Sequence, residues 1–195
     1  PVVSLSHCTV LVVGFGDIGK SFAHLAKAFG ARVIGVRRIA SGTFEDADEV
    51  STIQDLDSLL PRADVVVLAL PGTKDTFRLM DGEKFRLMKP GAVLINLGRG
   101  TSVVMDDLCR AVETGQIGAA GLDVTDPEPL PPDHRAWGID NILITPHISG
   151  GFHLADTLDN IIGICVSNLK RLERGERPLS VVDLSLGYAE RKNDI

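Results

Sequence analysis

The turn Gly14-Phe15-Gly16-Asp17-Ile18-Gly19 constrains this chain more than any other feature, because of where it stands. It follows a β-branched run at residues 9–13. It opens a segment, residues 17–29, whose apolar residues Ile18, Phe22, Leu25, Ala26 and Phe29 recur at helical spacing. Between a strand and a helix, a Gly-x-Gly-x-x-Gly sequence has a mechanical reading. Gly14 permits the tight turn, Gly16 lets backbone approach a pyrophosphate, and Gly19 lets the helix pack close to the strand. The helix N-terminus then offers unpaired N–H groups and the positive end of its dipole to the anion. A glycine-rich turn can also be purely structural; the flanking strand and helix are what point to a dinucleotide.

The rest of the chain alternates in the same way. Strands are expected at residues 31–36, 63–70, 92–97, 119–124 and 142–145, and helices at 55–60, 105–114 and 152–173. Residues 39–52 are polar and acidic, with no expected element. The last helix carries a stripe of Leu158, Ile161, Ile162, Cys165, Leu169 and Leu172, and Gly175 and Pro178 close it. Strands apolar throughout and separated by helices imply a parallel sheet covered on both faces. The expected fold class is α/β, a Rossmann-type doubly wound parallel sheet. At 195 residues, 44% of them hydrophobic, the chain suits one large domain. Its longest apolar runs, at 10–13 and 65–70, are far too short for a bilayer, so no membrane partner is expected. A net charge of −6 argues against nucleic acid. Cys8, Cys109 and Cys165 form no disulfide framework and suit a reduced, cytoplasmic setting. No metal site is expected.

The end of the second strand selects the dinucleotide. An acid there holds the ribose 2′-hydroxyl of NAD, whereas arginine accommodates the 2′-phosphate of NADP. Here Val36 is followed by Arg37 and Arg38 and no acid occupies the position, which favours NADP. Two arginines opening a solvated loop is the bland alternative, and Glu45 or Asp46 folding back would restore NAD.

Three later segments follow expected strands, at the sheet edge where ligands bind in open α/β folds. In Asn96-Leu97-Gly98-Arg99-Gly100, an arginine between glycines is free to present its guanidinium fork to a carboxylate, or is simply a turn arginine. Glu128 lies between Pro127 and Pro129, so its backbone is stiff and its side chain is directed; it also reads as an acid in a solvated proline-rich loop. His147, in Thr145-Pro146-His147-Ile148-Ser149-Gly150, is a natural proton donor at neutral pH. His134 and His153 lack its strand-end setting and are read as surface residues.

Together these segments resemble the cofactor-binding domain of the D-isomer-specific 2-hydroxyacid dehydrogenase family. Residues 14–19, 70–76, 96–100, 123–131 and 145–150 agree with it in order and spacing, and residues 178–188 are similar to its C-terminal return segment. The resemblance implies NAD(P)-dependent reduction of a small 2-oxoacid to its D-2-hydroxyacid. Arg99 would bind the substrate carboxylate, His147 would protonate the carbonyl oxygen as hydride arrives, and Glu128 would hydrogen-bond His147 and favour imidazolium. The cofactor would run along Gly14, Phe15, Gly16, Asp17, Ile18 and Gly19, with Arg37 and Arg38 at its 2′ position. Leu70, Pro71, Thr76, Leu97, Gly98 and Arg99 would line its path, with Asp123 on the nicotinamide carboxamide, and the site would include His147 and Gly150. Related formate dehydrogenases carry Gln where Glu128 stands, so Glu128 implies the hydroxyacid branch, and Arg37-Arg38 resembles glyoxylate/hydroxypyruvate reductase-like members. Thr125 stands where an aromatic residue is common, and Trp137 lies just before the His147 segment.

The family builds a second, substrate-binding domain mostly from residues that precede the cofactor domain, on the order of 100 or more. Few residues precede position 9, and the chain opens on Pro1 with no signal peptide behind it. The expectation is therefore a dinucleotide domain at 1–150, a C-terminal helix and return segment at 151–195, and no substrate domain. Such a chain should bind dinucleotide with little turnover. The apolar face of its last helix implies either a homodimer or an excised fragment. A second class of function stays open, a nicotinamide-sensing binding module of the C-terminal-binding-protein corepressor type.

Overall fold

The run at 9–13 forms β1 (Thr9–Val13), and it is buried on both faces. Val10 and Val12 enter one apolar cluster and Leu11 and Val13 another, as the two-residue period of a strand requires when both faces are covered. In the computed structural model, which describes residues 4–40, 44–150, 155–184 and 188–189, the chain divides into two compact units, Pro1–Pro146 and His147–Ile195.

The first unit continues with α1 (Asp17–Ala28), β2 (Arg32–Arg37), β3 (Glu49–Thr52), α2 (Leu56–Leu59), β4 (Val65–Leu68), α3 (Gly82–Leu87), β5 (Ala92–Asn96), α4 (Met105–Glu113), β6 (Ile117–Leu122) and β7 (Ile142–Ile144). Its strands form one parallel sheet in the order β3-β2-β1-β4-β5-β6-β7. From β1 the chain steps outward to β3, then returns to the other side of β1 at β4, where Val10 pairs with Val65 and Val13 with Leu68. That reversal is the switch point of a doubly wound Rossmann sheet, and ligands bind outside its carboxyl edge.

Two elements differ from expectation. β3 lies inside the stretch read as unstructured. It pairs only with β2, Ile34 to Glu49 through Arg37 to Thr52, and is half-buried, so it lacks the apolar signature of a central strand. α3 was not expected either; it is six residues long and is capped by Asp81, whose carboxylate accepts from the N–H groups of Glu83 and Lys84.

α1 meets the sheet through its small residues. Its buried residues are Gly19, Ala23 and Ala26, while Ile18, Leu25 and Phe29 are exposed. Close helix–sheet approach selects the small residues, so Ile18, Leu25 and Phe29 stand outward, while Phe22 is half-buried against the cluster that holds Val10 and Val12.

The second unit holds α5 (Ala155–Glu173) and a short antiparallel pair, β8 (Val182–Asp183) and β9 (Tyr188–Ala189). The expected helix start at residue 152 lies outside the described residues. Leu158, Ile161, Ile162, Leu169 and Leu172 are all exposed along α5. Gly175, at φ +68°, follows the helix in the left-handed conformation that ends many helices. The Asn168 amide accepts from Leu179 N–H at 2.6 Å and donates to its carbonyl at 3.3 Å, pinning the returning chain. All three cysteines are free, and no helix among the described residues is long and apolar enough to cross a membrane.

Candidate dinucleotide and substrate site

The glycine turn joins the ends of β1 and β2, since Gly14 and Phe15 both donate to the Val36 carbonyl, at 2.9 and 2.8 Å. Its three glycines have different causes. Gly14 has φ +102°, and a Cβ there would lie 2.5 Å from the Ala69 carbonyl oxygen; on Gly19 it would lie 2.2 Å from that of Gly14. Gly16 is neither strained nor crowded: its φ is −92°, and a Cβ would meet nothing within 4 Å. Packing within the chain explains two glycines, and the third faces open space, as backbone that a pyrophosphate approaches would. The residues present therefore fit a dinucleotide. Phe15 is buried, and Asp17 and Ile18 are exposed on the first turn of α1.

At the end of β2, Arg37 is half-buried with its guanidinium carbon 5.0 Å from the centroid of the Phe44 ring, and Arg38 is exposed. Asp46 does not stand at this strand end as a bare acid: its carboxylate meets His24 Nδ1 on α1 at 2.9 Å. Glu45 is exposed.

Beyond β4, the Thr76 hydroxyl donates to the Pro71 carbonyl at 2.7 Å and accepts from Thr73 N–H at 2.9 Å, which closes the loop that begins at Leu70. Beyond β5, Leu97 is half-buried and Gly98 is buried. A Cβ on Gly98 would stand 2.6 Å from the Leu70 carbonyl oxygen, and one on Gly14 would stand 2.9 Å from Leu70 N. Leu70 is thus the backbone against which the phosphate turn and the arginine loop both close. Arg99 is exposed; one guanidinium nitrogen donates to the Gly98 carbonyl at 2.7 Å, and it has no carboxylate partner among the described residues.

Beyond β6, Asp123 is buried, and its Oδ1 accepts from the Thr145 hydroxyl at 2.6 Å. Thr125 is buried and donates to the Pro127 carbonyl at 2.8 Å. A Cβ on Gly100 would lie 1.8 Å from the Thr125 carbonyl oxygen, so this threonine seals the arginine loop against the acidic one. Glu128 is exposed between two cis X-Pro bonds. Trp137 Nε1 donates to the Pro131 carbonyl at 2.8 Å, closing the proline-rich segment. His134 is half-buried rather than a plain surface residue, since its Nδ1 accepts from Ala136 N–H at 3.2 Å.

His147 opens the second unit, exposed and at φ +55°, and Gly150 is half-buried. His153 lies outside the described residues.

Residues 1–149 match the family described as D-isomer specific 2-hydroxyacid dehydrogenase, NAD binding domain. The chain belongs to that family. Over 92% of its length this dehydrogenase domain is 37% identical to glyoxylate/hydroxypyruvate reductase A of Serratia proteamaculans, of which it covers 56%. Two solved structures share the fold. A D-isomer specific 2-hydroxyacid dehydrogenase from Xanthobacter autotrophicus, in complex with NADPH and MES, matches 96% of the domain at TM-score 0.88 and 32% identity, over 76% of that chain. An NADPH-dependent glyoxylate/hydroxypyruvate reductase from Sinorhizobium meliloti, in complex with NADP and sulfate, matches 96% at TM-score 0.87 and 30% identity, over 59% of that chain. The domain spans about half the length of the curated relatives it matches, 58% and 51% of the first two.

Two residues of the dehydrogenase domain that position Arg99 escaped the sequence reading. Asn96 is fully buried; its amide nitrogen donates to the Arg99 carbonyl at 3.0 Å while its oxygen accepts from Gly98 N–H at 3.1 Å. The Ser102 hydroxyl donates to the same carbonyl at 2.9 Å. An asparagine closing an apolar strand was the available signal.

Proposed function

We propose that the protein carrying this domain is an oxidoreductase that reduces a small 2-oxoacid of the glyoxylate or hydroxypyruvate class to a D-2-hydroxyacid, with NADP favoured over NAD. A bound dinucleotide supplies hydride chemistry at the carboxyl edge of the sheet. Gly14, Phe15, Gly16, Asp17, Ile18 and Gly19 hold its pyrophosphate, Arg37 and Arg38 its 2′-phosphate, and Asp123 its carboxamide. Leu70, Pro71, Thr76, Leu97 and Gly98 flank it. Arg99 binds the substrate carboxylate and aligns the 2-oxo group. His147 gives its proton to the carbonyl oxygen and takes it back in the reverse direction, with Glu128 stabilising the imidazolium.

The observation that carries this reading is Leu70. Because Gly14 and Gly98 both close on its backbone, the phosphate turn and an arginine with no carboxylate partner among the described residues share one stretch of sheet edge. For NADP the support is the pair Arg37-Arg38 at the end of β2, together with Asp46 being engaged by His24. The domain by itself, at residues 1–150 with the following helix and return segment, is expected to bind dinucleotide with little turnover. A cytoplasmic homodimer meeting through the exposed apolar residues of α5 is the assembly this reading favours. The deciding experiment titrates the chain with NADPH and NADH before and after Arg37→Ala/Arg38→Ala. NADPH affinity should fall about a hundredfold and NADH about twofold; equal losses would remove the NADP assignment.

A further inference from the structure

We propose that Phe44 positions a two-cation clamp, Lys20 and Arg37, on the 2′-phosphate of the dinucleotide, an inference that rests on the NADP reading above. Lys20 directly follows Gly19 on α1, and Arg37 ends β2, so the two approach from either side of the glycine turn. They meet at one ring: Lys20 Nζ is 5.5 Å and the Arg37 guanidinium carbon 5.0 Å from the Phe44 centroid.

The ring is itself held. Phe44 meets Phe15 at 5.8 Å between centroids with the planes 86° apart, the edge-to-face arrangement that aromatic pairs prefer. Phe15 is 2% exposed, and its ring fits because position 35 is glycine; a Cβ there would lie 2.7 Å from it. Gly35, Phe15 and Phe44 therefore form a packed chain that fixes where both cations stand.

Their charge is unmet. Several other cations of this unit have acids: Lys27 has Asp48, Arg62 has Glu49, Lys84 has Asp57 and Lys89 has Asp64. Lys20 and Arg37 are half-buried and have no carboxylate partner among the described residues, and the nearby Asp46 is taken by His24. A ring quadrupole offsets an ammonium or guanidinium charge only in part. Two such charges held beside a helix N-terminus repel each other until a dianion arrives. A phosphate monoester meets that requirement, with the arginine fork engaging two of its oxygens and the lysine acting as a point charge. The 2′-hydroxyl of NAD brings no charge, so Lys20 and Phe44 would act on the choice between cofactors.

The test measures Kd for NADPH, NADH, 2′,5′-ADP and 5′-AMP in the parent chain and in Phe44→Leu, Phe44→Tyr, Lys20→Gln and Arg37→Ala, with thermal unfolding as the folding control. Phe44→Leu keeps the apolar contact with Phe15 and removes the ring face; Phe44→Tyr keeps both. Phe44→Leu and Lys20→Gln should each weaken NADPH and 2′,5′-ADP about tenfold, leave NADH and 5′-AMP within about twofold, and Phe44→Tyr should restore the parent values. Lys20→Gln should also make NADPH binding less sensitive to added salt. Losses shared equally by both cofactors, or no loss in either variant, overturn the clamp. If Arg37→Ala removes the NADPH preference while Phe44→Leu and Lys20→Gln keep it, the clamp fails and the NADP reading stands. If Arg37→Ala keeps it as well, the clamp fails with Arg37 in it, and if the parent chain binds NADPH no more tightly than NADH, the NADP reading fails too. Lys20→Gln decides the clamp should Phe44→Leu not fold.

Discussion

The Thr145 hydroxyl donates to Asp123 Oδ1 at 2.6 Å, tying the chain just after β6 to the chain just after β7 at the carboxyl edge of the sheet. Asp123 is 4% exposed, and its backbone N–H is spent on the Asn96 carbonyl at 3.0 Å, so the residue is fixed at both ends between three neighbouring strands. A buried carboxylate left without a hydrogen-bond donor is costly.

Replacing Thr145 with the nearly isosteric valine removes that donor. Stability should fall by about 1–3 kcal/mol, seen as a lower urea midpoint at unchanged slope. NADPH and NADH should weaken by similar factors, unlike the selective loss expected at Arg37 and Arg38. An unchanged midpoint would show that the bond contributes nothing.

Gly100→Ala should be among the most damaging single changes. Its Cβ would stand 1.8 Å from a backbone oxygen of Thr125, and backbone cannot rotate away as a side chain can. A loss of about 3 kcal/mol or more, or failure to fold, is expected. Gly163→Ala is the counterpart, because it sits within α5 with nothing within 4 Å of the added methyl. It should gain roughly 0.5–1 kcal/mol of helix stability. Thermal or urea unfolding of the two variants distinguishes a crowded glycine from a free one.

Two carboxylates at the β2–β3 edge set an acid limit on stability. Asp48 titrates below the usual aspartate range, chiefly because Lys27 donates to it at 2.6 Å and then because Val33 N–H does. Glu49 is lowered chiefly by its hydrogen bonds with Arg62. A group whose folded pKa is depressed stabilises the fold above its unfolded pKa, near 4, and loses that contribution as pH falls through the folded value. The urea midpoint should therefore be flat from pH 7 to about 5 and fall below about pH 4. In Asp48→Asn the acid-side fall should be shallower, starting from lower stability at pH 7.

In the whole protein, Arg99→Ala should reduce kcat/KM for glyoxylate or hydroxypyruvate by about a hundredfold or more while NADPH affinity stays within about threefold. On the proposed function His147→Gln should act on kcat, because the proton it would give is needed only as the carbonyl is reduced. Equal effects of Arg99→Ala on cofactor and substrate would make Arg99 a structural residue of its loop.

Leu169 is 63% exposed on α5, in line with Leu158, Ile162 and Leu172. If this face closes a homodimer, sedimentation should give twice the 20.9 kDa chain mass, and Leu169→Glu should return the monomer with its fold retained. A monomeric parent would remove the homodimer.

Much of the site was legible because its residues announce themselves locally. Glycines sit where the chain turns, and Arg99 and His147 each follow an apolar strand closely. β3 was not legible, since an edge strand of Glu49, Val50, Ser51 and Thr52, half-buried and paired on one side, has no apolar pattern. α3 was too short for a periodic signal. The inward face of α1 was not legible, because periodicity reports which residues share a face, whereas the closeness of the sheet decides which face turns in.

The amino-acid sequence alone determined the strand–turn–helix framework and its winding, because strand and helix periods and glycine conformations are set by residues a few positions apart. Only the tertiary structure decided which backbone Gly14 and Gly98 close against, that Asp46 turns to His24, and that Lys20, Arg37 and Phe44 meet beside the turn. Those relationships join residues far apart in the chain, and sheet register and packing, which no local pattern encodes, bring them together.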